Sequence, residues 1–149
     1  MKAGQAPYLL AAAILSMVAA SAPVAFAQGD SALFCGKPST AFASVILGTE
    51  EDDVLIGTAA PDLIRGFGGN DQLIGNQGDD CMIGGEGDDE IIGNEGNDTA
   101  FGMSGNDKMY GGPGNDTMFG DAGGDELYGH EGDDVMWGGD GGDIVYGGP

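Results

Sequence analysis

The sequence is short of basic side chains. Four lysines and arginines stand against 25 aspartates and glutamates, so the formal net charge is −21 at pH 7. Binding to nucleic acid and binding to an anionic membrane surface both need a basic face, and the composition argues against both functions. Such an acidic excess fits either a disordered acidic tail or a protein whose charge is neutralised by bound cations. The acids recur at regular intervals instead of in runs, which favours bound cations.

Histidine and cysteine are also scarce, since the chain has one histidine, His130, and two cysteines, Cys35 and Cys81. Zinc sites are built from thiolates and imidazoles, and neither cysteine has another thiol or a histidine close by in the sequence, so a zinc site is disfavoured. Outside the cytoplasm, an even pair of cysteines is a candidate disulfide. No serine or cysteine nucleophile is placed with His130, which argues against a catalytic role.

The first 27 residues have the pattern of a secretory signal peptide. Lys2 supplies a short positive start, residues 8–20 are apolar, and Ala25, Phe26 and Ala27 fit the small-x-small cleavage rule. A retained membrane anchor is the alternative, and it is less favoured because the apolar stretch is short and is followed by a serine and a proline. We expect the mature chain to begin at residue 28.

From Gly48 onward the sequence repeats every nine residues without insertion or deletion, and eleven blocks cover residues 48–146. The blocks begin at Gly48, Gly57, Gly66, Gly75, Gly84, Gly93, Gly102, Gly111, Gly120, Gly129 and Gly138. A fixed short period predicts a solenoid, in which each unit buries its apolar face only against its neighbours. The segment before the repeats is interpreted as a linker and an N-terminal cap over residues 28–47, and the repeat domain as residues 48–149.

Positions within the block differ in what they accept. Position 1 is always glycine, position 4 is glycine in nine blocks, and position 6 is always aspartate. We expect both glycines to adopt left-handed backbone angles in a six-residue turn. Positions 7 to 9 then form a three-residue strand with position 8 facing inward, and two blocks complete one coil of 18 residues with a strand on each of two facing sheets. The inward residues are Leu55, Ile64, Leu73, Met82, Ile91, Ala100, Met109, Met118, Leu127, Met136 and Val145.

The block at residues 84–92 carries the whole pattern GGxGxDxUx, where U is apolar, and it closely resembles the repeats-in-toxin (RTX) family of haemolysin-type calcium-binding repeats. The resemblance covers about two-thirds of the chain. It implies an all-β fold, a right-handed parallel β-roll with two repeats per coil, whose turns bind calcium between successive coils. Many members of this family leave the cell through an exporter that reads a C-terminal signal, whereas an N-terminal signal is predicted for this chain.

The chemistry of the repeat favours calcium as well. Calcium takes about six to eight hard oxygen ligands in flexible geometry, whereas magnesium prefers a rigid octahedron that keeps its waters. Turns two blocks apart should stack about 4.8 Å apart, so an ion between them can collect a carboxylate and several backbone carbonyls from each. The predicted ligands of one edge are Asp53, Asp71, Asp89, Asp107, Asp125 and Asp143, and those of the other edge are Asp62, Asp80, Asp98, Asp116 and Asp134.

These two edges contain five and four gaps between neighbouring aspartates, so we expect at most nine calcium ions. The gaps of the first two blocks are expected to be weak, because Glu51 and Ala60 replace the position-4 glycine. Adjacent acids such as Asp79 and Asp80 could suggest an acid/base pair, but calcium ligation explains them more simply. Without ions the stacked carboxylates repel one another, so calcium is also expected to drive folding after export.

The leading functional hypothesis is a secreted, non-enzymatic calcium-binding protein, located outside the cell or in the periplasm. An enzyme is disfavoured because residues 28–47 are too few for a catalytic domain, and a pore-forming toxin because the mature chain lacks a long apolar region. The alternative is a calcium-stiffened surface or matrix adhesin with a protein or glycan partner, or one that stacks on copies of itself. Position 9 supports either stacking between coils or docking of a partner, since it places Phe101, Phe119 and Trp137 on one sheet and Tyr110, Tyr128 and Tyr146 on the other.

Overall fold

The computed structural model describes residues 33–149. The predicted signal peptide, residues 1–27, and the start of the predicted linker lie outside these residues. Within the described part of the chain, no helix has the length and apolar character needed to cross a membrane.

Two short strands and a 3-10 helix precede the repeats. Strand β1 (Leu33–Phe34) pairs antiparallel with β2 (Lys37–Pro38), and the 3-10 helix spans Ser39–Ala41. The solenoid strands that follow are β3 (Ser44–Leu47), β4 (Val54–Ile56), β5 (Asp62–Gly68), β6 (Gln72–Gln77), β7 (Cys81–Glu86), β8 (Glu90–Glu95), β9 (Thr99–Ser104), β10 (Lys108–Pro113), β11 (Thr117–Ala122), β12 (Glu126–Glu131), β13 (Val135–Asp140) and β14 (Ile144–Tyr146).

The solenoid strands form two six-stranded parallel sheets. The even sheet has the order β14-β12-β10-β8-β6-β4, and the odd sheet has the order β13-β11-β9-β7-β5-β3. The chain alternates between the sheets, and paired residues are 18 apart, as Met109 and Leu127 are in the even sheet. This arrangement confirms the predicted parallel β-roll with two blocks per coil. It also shows that β3, which precedes the first complete block, is the edge strand of the odd sheet.

One column of apolar side chains fills the space between the sheets. Nine of the eleven position-8 residues form this core, with exposures from 0% to 8%, and Ile46 and Met136 pack against it. The inward direction of position 8 is therefore confirmed for the stacked coils. Val145 differs: it lies on the edge strand β14 and is 46% exposed.

The strands are longer than the predicted three residues. From β6 to β13 each strand has six residues, which run from position 7 through position 3 of the next block. The position-1 glycine therefore lies inside the strand and is the second inward residue, as Gly93 is in β8. The prediction was wrong because glycine is normally depleted in strands. The remaining turn is only positions 4 to 6.

The prediction of left-handed glycines holds for position 4 and is wrong for position 1. Gly87 and Gly105 at position 4 have φ of 120° and 135°. Position 1 needs glycine for space instead, because a Cβ on Gly48 would lie 2.7 Å from the carbonyl oxygen of Gly66 and 2.8 Å from Oδ2 of Asp53. From the third block onward it is position 2 that has positive φ. Its non-glycine members are Phe67, Asn76, Asn94, Met103, Asp121 and His130.

A second, smaller apolar cluster joins residues 33–43, which we call the N-terminal arm, to the odd sheet. It contains Phe42, Leu63 and Cys81, with Cys35 packed against them. Cys35 and Cys81 form a disulfide with their Cα atoms 5.9 Å apart. The Nζ of Lys37 donates a hydrogen bond of 3.3 Å to the backbone carbonyl of Asp79. The arm is therefore fixed to the roll at its fourth block.

Candidate metal centre

The position-6 aspartates stack in two columns, and each reaches back to the coil before it. The Oδ1 of Asp71 accepts a hydrogen bond from the backbone N–H of Asp53, at 2.8 Å. Nine such bonds of 2.8 to 3.0 Å connect aspartates 18 residues apart. They join Asp53, Asp71, Asp89, Asp107, Asp125 and Asp143 in one column, and Asp62, Asp80, Asp98, Asp116 and Asp134 in the other. The structure thus places all eleven predicted aspartates next to the neighbours expected for them.

The second carboxylate oxygen has a different environment. In the third to tenth blocks, Oδ2 of the aspartate is buried and has no hydrogen-bond partner. These atoms belong to Asp71, Asp80, Asp89, Asp98, Asp107, Asp116, Asp125 and Asp134. An unpaired buried carboxylate costs several kcal/mol unless it gains a proton or a positive partner. A regular row of such atoms therefore indicates places for cations.

Burial changes the acidity of these carboxyl groups. Loss of solvent raises the pKa of Asp98 and of Asp107 to about 7, although the hydrogen bond from the preceding coil lowers it and the neighbouring carboxylates raise it. The same effects raise the pKa of Asp89 to about 6. Near neutral pH, without a cation, part of each column would therefore hold protons in place of metal.

Backbone surrounds the free oxygen closely. A Cβ added to the position-1 glycine of the same block would overlap Oδ2, as at Gly84 beside Asp89. A Cβ added to Gly105 at position 4 would overlap the carbonyl oxygen of Gly87 on the preceding coil. The spaces between coils are thus lined by carboxylate and carbonyl oxygens, and only glycine leaves them open. This is the donor set that suits a hard cation of flexible coordination such as calcium.

Side chains alone do not make the site. Among residues 33–149, no three histidine, cysteine, aspartate or glutamate side chains converge as a group that could hold a metal ion. A cation between the coils would therefore need backbone carbonyl oxygens beside the aspartates. Zinc does not favour such a set of oxygen ligands, because it prefers sulfur and imidazole nitrogen.

The first two blocks have another kind of turn. The backbone N–H and the Oγ1 of Thr49 donate hydrogen bonds to Oδ2 of Asp53, at 2.7 and 2.9 Å. The backbone N–H of Thr58 donates to Oδ2 of Asp62. We call residues 48–53 and 57–62 the threonine turns, and the corresponding turns from the third block onward the glycine turns. The role of threonine was missed from the sequence, although it occupies position 2 only in the two blocks that lack the position-4 glycine.

Position 5 carries a second ladder that sequence reasoning also missed. The Oδ1 of Asn70 accepts a hydrogen bond of 2.8 Å from the backbone N–H of Asp88 on the next coil. In the same way, Asp79 accepts from the N–H of Asn97, and Asp88 from the N–H of Asn106. Asp79 and Asp88 thus bond the backbone of the next coil through Oδ1. The restriction of position 5 to Asp, Asn, Gly and Pro was the available signal.

The outward aromatic side chains stack along each sheet. The rings of Phe101 and Phe119 lie 5.0 Å apart at 4°, and those of Phe119 and Trp137 lie 4.7 Å apart at 6°. On the even sheet, Tyr128 lies 5.2 Å from both Tyr110 and Tyr146. The rings face one another, so this geometry favours the hypothesis of stacking between coils. His130 takes part in the same ladder, with its ring 6.1 Å from that of Tyr110.

Comparison with known families identifies a calcium-binding repeat. The model of the RTX calcium-binding nonapeptide repeat (4 copies) matches residues 47–80, 83–118 and 119–149. These segments make up well over half of the chain, and they contain all eleven position-6 aspartates. Proteins with these repeats are typically secreted, and the repeat is typically structural and not catalytic. A search of curated proteins found no match.

Proposed function

Because the chain belongs to the RTX calcium-binding nonapeptide repeat family, we propose that it is a secreted, non-enzymatic protein that binds several calcium ions between its stacked turns and folds as it does so. The observation that carries this proposal is the row of eight buried Oδ2 atoms without a partner. Their regular recurrence on both edges of the roll is what one ion per gap requires.

The proposed ligands are the position-6 aspartates together with backbone carbonyl oxygens of the glycine turns. Nine gaps between neighbouring aspartates set the upper limit at nine ions. Each ion would neutralise carboxylates that burial has deprived of water, and would thereby offset a large part of the net charge of −21. The adjustable oxygen set of a glycine-rich turn favours calcium over magnesium.

Coupling of binding to folding follows from the same atoms. In the folded chain without calcium, eight unpaired carboxylate oxygens are buried, and like charges follow one another along both columns. The unfolded chain returns these groups to water. A ligand that binds only the folded state stabilises it by about 2.7 kcal/mol per site at a hundredfold excess over its Kd, so several sites together give a steep dependence on calcium.

Two features support export. Residues 1–27 carry the predicted signal peptide, and the Cys35–Cys81 disulfide requires an oxidising compartment. Calcium is scarce in the cytoplasm and millimolar outside the cell, so the chain would fold after it has been exported.

Circular dichroism of the mature protein, residues 28–149, tests the coupling. We expect little β signal in chelator, and a cooperative gain as calcium is added at constant ionic strength. Magnesium at the same concentration is the control and should produce little change. A spectrum that is equally rich in β structure in chelator and in calcium would refute folding on binding, while leaving calcium uptake to be measured separately.

A second candidate, the calcium-stiffened adhesin, is favoured by the exposure of the last members of both aromatic ladders, Trp137 at 51% and Tyr146 at 56%. Binding of the labelled protein to cell surfaces, with and without calcium, tests it. We expect calcium-dependent binding that weakens when Trp137 and Tyr146 are replaced by threonine. Equal binding by the wild type and this variant, in the same calcium, would contradict it.

A further inference from the structure

In both threonine turns, threonine donates hydrogen bonds to Oδ2 of the position-6 aspartate. Thr49 donates two hydrogen bonds to Oδ2 of Asp53, and Thr58 donates one to Oδ2 of Asp62. In the eight blocks that follow, the equivalent Oδ2 is buried without a partner. Protein groups thus satisfy Oδ2 in the first two turns and do not in the later ones. Oδ1 of Asp62, which has no earlier aspartate in its column, is also buried without a partner.

The threonine turns also differ from the glycine turns in the backbone conformation at position 2. From the third block onward position 2 has positive φ, beginning with Phe67 at 87° and Asn76 at 81°, whereas Thr49 and Thr58 are not among the residues of positive φ. In the threonine turns the N–H of position 2 therefore points at the carboxylate. Hydroxyl groups close these turns further, because Oγ1 of Thr49 accepts a hydrogen bond of 3.2 Å from the N–H of Glu51. In the glycine turns, positive φ at position 2 thus occurs together with an unpaired Oδ2. The threonine turns have neither feature.

The same end of the roll has further supports that involve no metal. The Cys35–Cys81 disulfide closes a loop of 46 residues around both threonine turns. Phe42 and Leu63 pack against this disulfide in the second apolar cluster. The N–H of Ala43 donates to the carbonyl of Pro61, at 2.6 Å, and thereby ties the arm to the start of β5.

We propose that the arm, the threonine turns and strands β3 to β5 form a calcium-independent seed, residues 33–68 anchored to β7 by the disulfide, on which the glycine turns assemble when calcium binds. The calcium dependence of the later coils rests on the proposed function. The seed itself rests on the threonine hydrogen bonds, the disulfide and the second apolar cluster. The chain would thus keep a folded template beside an otherwise unfolded repeat.

Hydrogen exchange followed by mass spectrometry on the oxidised mature protein tests the seed. In chelator, we expect amides of β5 to exchange at least tenfold more slowly than those of β11. In saturating calcium, both strands should be protected. Equal exchange of β5 and β11 in chelator, whether both are fast or both are slow, would overturn the seed.

A variant that converts the threonine turns into glycine turns sharpens the test: Thr49→Gly, Glu51→Gly, Thr58→Gly and Ala60→Gly together. We expect β5 to lose its protection in chelator and to regain it in calcium. The control is Thr99→Gly with Thr117→Gly, which makes the same threonine change in β9 and β11 and should leave β5 protected in chelator. Retained protection of β5 in the turn variant would overturn the role of threonine.

The two proposals fail in different ways. If the protein takes up no calcium, no strand changes its exchange when calcium is added, but protection of β5 in chelator still supports the seed. If calcium binds and folds every strand together from a fully exchanging state, the proposed function stands and the seed is overturned.

Discussion

In the first two blocks, Oδ2 of Asp53 and of Asp62 accepts hydrogen bonds from threonine, whereas in the eight blocks that follow the same atom is buried without a partner. Both kinds of block place Oδ1 or the backbone N–H of aspartate in the same 18-residue ladder. The parallel pairing is therefore common to both regions, whereas the partner of the second oxygen and the backbone conformation at position 2 differ. In the threonine turns a protein donor satisfies this oxygen, and in the glycine turns its absence leaves the oxygen available to a cation.

Removal of the Cys35–Cys81 disulfide should have the largest effect on the difference between the two regions. Closing a loop of 46 residues should stabilise the folded state by about 4 kcal/mol through the entropy of the unfolded chain. Replacing Cys35 and Cys81 by alanine should therefore abolish the protection of β5 in chelator. Exchange of β11 in chelator is the internal control and should not change. If β5 stays protected without the disulfide, the predicted effect is contradicted, and the threonine turns with the remaining residues of the second apolar cluster suffice.

Replacing single aspartates tests the two regions separately. Asp98→Asn keeps the Oδ1 acceptor but removes the charge of a free carboxylate, so we expect a loss of roughly 3 kcal/mol in calcium and fewer bound ions. Asp62→Asn is the matched change in a threonine turn, and because the gaps of the first two blocks are expected to be weak, it should lower the ion count less than Asp98→Asn. Thermal unfolding in calcium measures the first effect, and calorimetry the second. Equal losses of ions in the two variants would contradict the distinction between the turns.

The glycine turns should also be sensitive to a single methyl group. Gly105 has φ of 135°, and a Cβ there would overlap the carbonyl oxygen of Gly87. Gly105→Ala should therefore cost about 2 kcal/mol of stability in calcium. Gly142 has no atom within 4 Å of an added Cβ, so Gly142→Ala should change the stability by less than about 0.5 kcal/mol. Urea unfolding in calcium compares them, and similar midpoints for both would argue against a tightly lined gap.

Acidity should affect the glycine turns through Asp98 and Asp107. The pKa of Asp98 and of Asp107 is raised to about 7 in the folded chain, so the folded state without calcium binds more protons than the unfolded state. Its stability is therefore greatest below the ordinary pKa of aspartate and is lost as the pH rises through about 7. Calcium must displace these protons, so below about pH 7 its affinity should fall about tenfold for each unit by which the pH is lowered, for each proton displaced. A calcium midpoint that is constant from about pH 8 to about pH 5 would contradict this effect.

The repeat period made much of this architecture predictable. An aspartate kept in phase for eleven blocks forces an 18-residue register once two blocks make a coil, and the apolar position 8 then forms the core. The two columns of aspartates follow from that register. Residue type and spacing together were enough to predict the register, the core and the columns, because every block repeats the same local structure.

What the sequence did not reveal depends on backbone geometry that leaves little trace in composition. Position 2 is left-handed in residues as different as Phe67, Met103 and His130, so no preference for glycine marks it. Position 1 is glycine for lack of space within a strand, which resembles glycine in a turn when only the sequence is seen. The threonine turns involve just two blocks, and their meaning appears only when Thr49 is seen to donate to Asp53.

The central claim is that aspartates of stacked turns share calcium ions, and isothermal titration calorimetry of the mature protein measures this most directly. The account predicts several calcium ions per chain, up to nine, with the count falling in Asp98→Asn. A chain that takes up no calcium, or a single ion that is retained in Asp98→Asn, would contradict it.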